Sequence, residues 1–126
     1  MFLRRNNQLD ALIGVNTEFR GDIVSGGTLR VDGKIFGNVV ADWVVLGEAG
    51  SLKGNIKAKG VVIGGRVDGN INADELVDIK HTGSLLGDIH TRKLSVAEGG
   101  VFEGRSLVQR DEDLKVIDFP AKEAIS

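Results

Sequence analysis

Two histidines are the side chains of this sequence best suited to bind a metal ion or move a proton. His81 and His90 fall in different corners of successive turns of a repeat, and no third ligand candidate stands near them at a useful spacing. His90 follows Ile89, which the alternation of apolar residues directs inward, so His90 is expected to point outward. A surface position is therefore favoured for both histidines over a metal or catalytic role.

A column of polar residues is the second place where a ligand could be held. Asp22 and Asp88 belong to it, but they stand four turns apart, roughly 19 Å at the spacing of stacked strands, which is too far to share a cation. Asn and Asp favour turns, and neutral Asn side chains stack with less repulsion than like charges. The column is predicted to be a ladder of turns, and its residues are Asp22, Asn38, Asn55, Asn70, Asp88 and then Arg105.

Nucleotide and nucleic-acid chemistry have little support. The segment from Gly64 to Gly69 resembles a phosphate-binding loop only superficially, because no helix is predicted after it. The pattern Gly-x-x-x-x-Gly-Lys-[Ser/Thr] does not occur. The net charge is −2, and the six aromatic residues are scattered, so no basic and aromatic platform for bases is predicted. We expect no catalytic residue, no cofactor, no metal and no nucleic-acid or nucleotide partner.

The strongest pattern is a glycine that recurs at positions 21, 37, 54, 69, 87 and 104, at intervals of 16, 17, 15, 18 and 17 residues. The second residue before it is always large and apolar, and the first five times so is the second residue after it. Such alternation predicts a strand with one buried face. A further alternating pair follows in each turn, from Leu29/Val31 to Leu94/Val96. Strands this short are stable only when stacked at ~4.8 Å on their equivalents. The sequence therefore predicts an all-β fold, a single-domain parallel β-helix of about six coils of roughly 17 residues.

Composition limits the setting. A chain of 126 residues forms one domain. The absence of cysteine excludes a disulfide framework and is compatible with a reducing cytoplasm. The longest apolar runs are far shorter than the ~20 residues needed to span a bilayer, and the start lacks the apolar core of a secretory signal. We expect the chain in the cytoplasm.

The two ends of the β-helix are where function is expected. The first and last coils have backbone groups without a neighbour, and an uncovered edge is a template for another chain. Phe102 stands where the inner coils carry Ile, Leu or Val, and Phe19 mirrors it in the first coil. The alternative is that both rings simply fill the wider ends of the core. We predict that the chain polymerises coil on coil and that Phe102→Arg blocks this while leaving the β-helix folded. The predicted interface consists of Leu12, Ile13, Phe19, Ile23, Val101, Phe102, Leu107 and Val108.

Two segments of the sequence resemble the bactofilins. They are the opening from Leu12 to Ile23, and Leu29-Arg30-Val31-Asp32-Gly33 followed by Gly37-Asn38-Val39. The resemblance covers roughly residues 12–108. It implies a right-handed parallel β-helix that assembles without nucleotide into filaments, and a bacterial cytoskeletal scaffold at the inner membrane that serves cell shape or positions cell-wall or polarity proteins. It also implies non-polar filaments, in which first coil pairs with first and last with last.

The termini are predicted to be tails. Similar short starts in this family are taken to touch the membrane, which implies a membrane contact through Phe2, Leu3, Arg4 and Arg5. Each apolar side chain could contribute ~2–3 kcal/mol at best, and each Arg ~1 kcal/mol at an anionic surface. The alternative is a disordered start without a role. The predicted division is a flexible tail over 1–11, a polymerisation domain over 12–108 and a charged tail over 109–126. The stretch 114–120 of that tail folds over the last coil or is loose, and the alternative is a partner-docking segment at about 114–119.

Two other solenoid classes are the alternatives. Left-handed β-helix acyltransferases follow a strict hexapeptide pattern and need a catalytic histidine at a subunit interface. The intervals of 15 to 18 residues and the contexts of His81 and His90 fit that class poorly. An adhesion or ice-binding solenoid would need a regular Thr-x-Thr face and a secretion signal, and neither is present. Long filaments in electron micrographs would favour the cytoskeletal subunit, whereas closed trimers would favour the acyltransferase.

Overall fold

The computed structural model of the chain describes residues 9–109 and 114–123, and every regular element in these two ranges is a β-strand. In chain order the strands are β1 (Leu9–Ile13), β2 (Glu18–Arg20), β3 (Ile23–Val24), β4 (Thr28–Val31), β5 (Lys34–Phe36), β6 (Val39–Val40), β7 (Trp43–Leu46), β8 (Ser51–Lys53), β9 (Ile56–Ile63), β10 (Arg66–Asp68), β11 (Ile71–Ile79), β12 (Ser84–Leu86), β13 (Ile89–Thr91), β14 (Leu94–Val96), β15 (Val101–Gln109) and β16 (Leu114–Glu123).

The strands wind into a solenoid with three faces, each of which stacks equivalent strands of successive coils in parallel. One face runs β2-β5-β8-β10-β12-β15 and a second runs β3-β6-β9-β11-β13-β15. The third face runs β1-β4-β7-β9-β11-β14. The long strands β9, β11 and β15 belong to two faces each. The predicted all-β solenoid of about six turns with roughly 17-residue spacing is confirmed; the hand of its winding stays a prediction.

The register brings the predicted apolar columns together in the core. Val67 lies between Leu52 and Leu85, and Leu85 lies opposite Phe102. On the second face Ile71 lies opposite Ile89. Parallel pairing in register places like side chains above one another, so the inward residues of each face form one continuous core. The fully buried side chains of these columns include Leu29, Ile35, Leu46, Leu52, Ile56, Ile63, Ile71, Ile79, Leu85 and Ile89.

The recurring glycine is required for two reasons. Gly69 has a φ of 151°, a conformation that residues with a side chain rarely adopt. A Cβ at Gly69 would also overlap the carbonyl oxygen of Gly54 in the preceding coil. Gly21 has a similar φ of 132° but, with no described coil before it, its Cβ would be 3.6 Å from the nearest atom, in the ring of Phe19. The glycine column therefore allows the corners of adjacent coils to approach within van der Waals contact.

The polar column forms the ladder that the sequence predicts. The backbone N–H of Asn55 donates to Oδ1 of Asn38 at 3.0 Å, and that of Asn70 donates to Oδ1 of Asn55 at 3.1 Å. The same bond joins Asp88 to Asn70 and, at 2.9 Å, Asn38 to Asp22. Each Asn or Asp thus supplies an acceptor to the next coil at the corner, where the strand ladder is interrupted.

The strand assignments extend into both predicted tails. β1 begins at Leu9, within the segment 1–11, and β16 lies within the segment 109–126. The division of the chain into tails and a polymerisation domain stays a prediction.

Candidate assembly site at the ends of the solenoid

The first coil has three strands, β1, β2 and β3, that each pair on one side only among the described residues. β1 covers β4, and its end is fixed by the carbonyl oxygen of Ile13, which accepts the N–H of Asp32 at 2.8 Å. In the part of the chain that the structure describes, β2 pairs only with β5 and β3 pairs only with β6. The outer edges of β2 and β3 therefore have no strand beside them within the described residues. Such edges are templates for strand pairing.

The first coil also exposes large apolar side chains. Val24 in β3 is 81% exposed, and Leu12 in β1 is 56% exposed. Val15, in the corner between β1 and β2, is 64% exposed. Val40 stands one coil further along, directly beside Val24, and is 43% exposed. Apolar side chains beside an open strand edge are typical of an interaction surface rather than of a solvated end.

The four residues predicted for this end are brought together. Leu12 is exposed, whereas Ile13, Phe19 and Ile23 are half-buried and pack against the core. The equivalents of Phe19 and Ile23 one coil further along, Ile35 and Val39, are only 1% exposed. The difference arises because the first coil has no strand above β2 and β3 in the described ranges.

The last coil is organised differently, because β16 pairs with β15 in the antiparallel direction. The register runs from Val101 opposite Glu123 to Gln109 opposite Leu114, with an irregularity between Phe102 and Gly104. β15 therefore has β12 and β13 along one edge and β16 along the other. β14, on the third face of this end, pairs only with β11 among the described strands.

The residues predicted for the last-coil interface are adjacent, but they differ in accessibility. Val101, Leu107 and Val108 are half-buried. Phe102 is 0% exposed and is the largest fully buried side chain of the described residues, so a second chain cannot reach it while β16 is paired with β15. A charge there would be buried without a partner. The expectation that Phe102→Arg leaves the β-helix folded is therefore corrected: this variant is expected to disrupt the last coil.

Ser106 interrupts the apolar column of the second face. It lies opposite Ile89, where the inner coils carry Ile or Val, and it is fully buried. Its Oγ is the one buried side-chain polar atom of the described residues without a hydrogen-bond partner. The small Ser106 lies in the same coil as the large Phe102. An unpaired buried hydroxyl lowers the free energy of unfolding by about 1–3 kcal/mol.

Sequence reasoning missed the role of two further residues and of one segment. Trp43 lies opposite Gly60 in the next coil, and a Cβ at Gly60 would overlap the indole. Glycine is required at position 60 to accommodate the indole ring, not to form a turn. The pairing of β16 was left open, although Leu114 and Val116 alternate with charged residues as in a strand. Pro120 and the loss of the repeat glycine concealed that signal.

The segment from Leu29 to Gly33 has a structural explanation. Leu29 and Val31 are core residues, and a Cβ at Gly33 would overlap the carbonyl oxygen of Gly14. Between them, Nε of Arg30 donates to Oδ2 of Asp32 at 3.0 Å, and this hydrogen bond together with the charge of Asp32 raises the pKa of Arg30. The motif therefore fixes the first complete corner of the solenoid.

The residues considered for other chemistry are not brought into a site. His81 is exposed in a corner, and His90 is a half-buried outward residue of β13. Within residues 9–109 and 114–123, no group of three or more His, Cys, Asp or Glu side chains is placed to hold a metal ion. The same ranges contain no helix that is long and apolar enough to cross a membrane. The predicted membrane contacts Phe2, Leu3, Arg4 and Arg5 lie outside the described residues.

Comparison with known proteins agrees with this architecture. A family model described as "Bactofilin: Polymer-forming cytoskeletal" matches residues 11–107. The chain is 29% identical to Bactofilin BacP of Myxococcus xanthus (strain DK1622) over 101 residues, which is 79% of this chain and 42% of the relative. It is 29% identical to Bactofilin BacO of the same organism over 105 residues, 82% of this chain and 83% of the relative. The chain thus spans less than half the length of BacP. No solved structure is significantly similar. Because the family model covers well over half of the sequence, the chain belongs to the bactofilins, a family of polymer-forming cytoskeletal proteins.

Proposed function

We propose that this chain is a filament subunit that assembles end to end through its terminal coils, without nucleotide. The observation that carries the proposal is the first coil, where the open edges of β2 and β3 lie beside the exposed Leu12, Val15 and Val24. A second copy placed on this end would pair the free backbone groups. It would also bury apolar side chains, each worth about 1.5–3 kcal/mol when fully removed from water.

The contact between two first coils is isologous, because the same surface is used on both copies. A two-fold axis perpendicular to the solenoid turns the strands of one copy antiparallel to those of the other, and edge strands pair well in that direction. A second isologous contact between last coils then continues the stack. Alternation of the two contacts gives an open and non-polar polymer.

Independence from nucleotide is supported by the segment from Gly64 to Gly69. The N–H of Gly64 donates to the carbonyl oxygen of Leu46 at 2.8 Å, and the N–H of Arg66 donates to that of Gly50 at 3.0 Å. A phosphate-binding loop needs such N–H groups free to face the anion. Here they join adjacent coils, which favours a structural role for this glycine-rich segment.

Electron microscopy of the purified chain, without nucleotide or metal and across a range of salt, tests the proposal. We expect long thin filaments. The variant Val24→Glu places a carboxylate at the open edge, where a first-coil contact would remove it from water, and should shorten or abolish the filaments. Val40→Glu is the matched control, because it lies in the same outward column but on a strand with neighbours on both sides. Equal filament formation by both variants would contradict a first-coil interface.

Attachment to a membrane through Phe2, Leu3, Arg4 and Arg5 is the finer part of the proposal. One such segment binds weakly after the cost of ordering it, but a filament presents many copies, and avidity makes the attachment firm. Deletion of residues 2–5 should leave filaments intact and abolish their co-sedimentation with liposomes that contain anionic lipid. Unchanged co-sedimentation would contradict the membrane role without affecting the assembly proposal.

A further inference from the structure

We propose that β16 is an intrachain cap on the last coil, and that a last-coil contact with a second copy requires β16 to leave β15. The inference rests on the proposed end-to-end assembly and adds the step that controls it. The two ends of the solenoid then differ in kind. The first coil is open to a partner, whereas most of the last coil is already occupied by the chain itself.

The hydrogen-bond register shows that occupation. β16 pairs along β15 from Val101 to Gln109 and so covers both faces to which β15 contributes. Each backbone N–H or C=O of that edge can serve one ladder. A second copy therefore cannot pair with β15 itself while β16 is in place, and the open edges at this end are those of β14 and of β16 among the described strands.

The direction and composition of β16 make it an end rather than a further coil. It runs antiparallel to β15, whereas every other strand pair of the described residues is parallel. Its sequence contains Lys115, Pro120 and Lys122, and its register with β15 is irregular next to Gly104. Proline, lysine and bulges are the features that protect edge strands from pairing with further chains. β16 is thus suited to block growth, not to carry it.

Two observations make this cap releasable. Among the described strands β16 pairs only with β15, whereas β9 and β11 inside the solenoid pair along both edges. Beneath it, the capped coil holds the unpaired hydroxyl of Ser106, which lies opposite Ile117 of β16. A buried donor without a partner destabilises the closed state relative to one in which it meets water. Release of one terminal strand also leaves the stacked coils before it in place.

A reversible covalent lock tests the proposal on the full chain. Arg105 and Asp118 are directly opposite each other in the antiparallel register, within the range of separations that a disulfide bridges, and neither belongs to the predicted interface. The chain has no cysteine, so in the double variant Arg105→Cys/Asp118→Cys the only disulfide within a chain is the designed one. The matched control is Asn72→Cys/His90→Cys, a pair in register on the same face that joins β11 to β13 and does not involve β16.

We expect the oxidised Arg105→Cys/Asp118→Cys protein to lose its pelletable filaments and to stop at particles of two chains joined by their first coils. Addition of dithiothreitol should restore filaments, while the control variant should form them in both redox states. Circular dichroism before and after reduction checks that the lock leaves the strands intact. Filaments of equal length from the oxidised and reduced lock would overturn the cap and leave the assembly proposal standing. If neither the reduced lock nor the control forms filaments, the assembly proposal fails and the cap fails with it.

Discussion

The glycine column gives the sharpest test of how the coils are held together. The variants Gly69→Ala and Gly21→Ala make the same chemical change at equivalent corners, with φ values of 151° and 132°. They differ in one respect. The new methyl group at position 69 would overlap the carbonyl oxygen of Gly54, whereas at position 21 it would meet nothing closer than Phe19 at 3.6 Å. Comparison of the two separates the cost of the backbone conformation from the cost of the close approach between coils.

The magnitude follows from the bonds around Gly69. Holding Ala at positive φ costs about 1–3 kcal/mol at either position. At position 69 the two corners must also separate by more than 1 Å, because a Cβ essentially never lies within 3.0 Å of a heavy atom of a neighbouring segment. That separation breaks the bond from the N–H of Gly54 to the carbonyl oxygen of Asp68 (3.0 Å) and the bond from the N–H of Asn70 to Oδ1 of Asn55 (3.1 Å). Each contributes about 1 kcal/mol, so we expect about 3–5 kcal/mol for Gly69→Ala.

Urea unfolding followed by the fluorescence of Trp43 measures this difference. Trp43 is the only tryptophan of the chain and packs over Gly60 of the next coil, so its emission reports on coil stacking. With a slope of about 2 kcal/mol per molar urea, the midpoint of Gly69→Ala should fall by roughly 1.5–2.5 M and that of Gly21→Ala by roughly 0.5–1.5 M. Protein concentrations are matched and kept below the onset of assembly, because polymerisation would stabilise the folded state by mass action.

The reasoning would be refuted by equal midpoint shifts for the two variants. That result would mean that the close approach of glycine corners contributes nothing and that φ alone explains the column. A larger shift for Gly21→Ala than for Gly69→Ala would contradict the geometry of the stacked corners altogether.

Two predictions concern the last coil. Ser106→Ala removes the unpaired buried hydroxyl and should raise the free energy of unfolding by about 1 kcal/mol. The comparison variant Thr82→Val, in the corner before β12, removes a hydroxyl that donates to the carbonyl oxygen of Gly64 at 2.7 Å and should lower it by a similar amount. Urea midpoints that move in the same direction for both would contradict this. Phe102→Arg buries an unpaired charge and should cost several kcal/mol, seen as increased hydrogen exchange of residues 101–109, while an unchanged exchange pattern would show that the ring is accessible after all.

Much of the fold was predictable because its determinants are local and repeated. The apolar residues two positions on either side of each glycine indicated the strand and its buried face, and the period indicated which strands stack. Ile71 and Ile89 are in register for that reason. The same repetition predicted that Asn55 and Asn70 stack in one column of turns, but not the hydrogen bond that joins them. Where the repeat ends, at about residue 108, this reasoning had no further pattern to use.

The candidate site was predicted less completely. The sequence located the apolar residues of both ends, but it could not show which of them are accessible. Phe19 and Phe102 are equivalent in sequence pattern, yet Phe19 is partly exposed and Phe102 is fully buried. The difference depends on neighbours that are distant in sequence or that pair outside the repeat, and alternation of apolar residues carries no information about them.

By itself, then, the sequence determined the solenoid, its coil length, its core columns and its family, because each of these is written in a short pattern that recurs in every coil. Only the tertiary structure decided how the solenoid ends. Nothing in residues 114–123 repeats an earlier segment, so the antiparallel pairing of β16 with β15 depends on the free edge that the last coil provides. An edge is a property of the stack as a whole: it exists only where coils stop, and it is covered or open according to which segment can reach it.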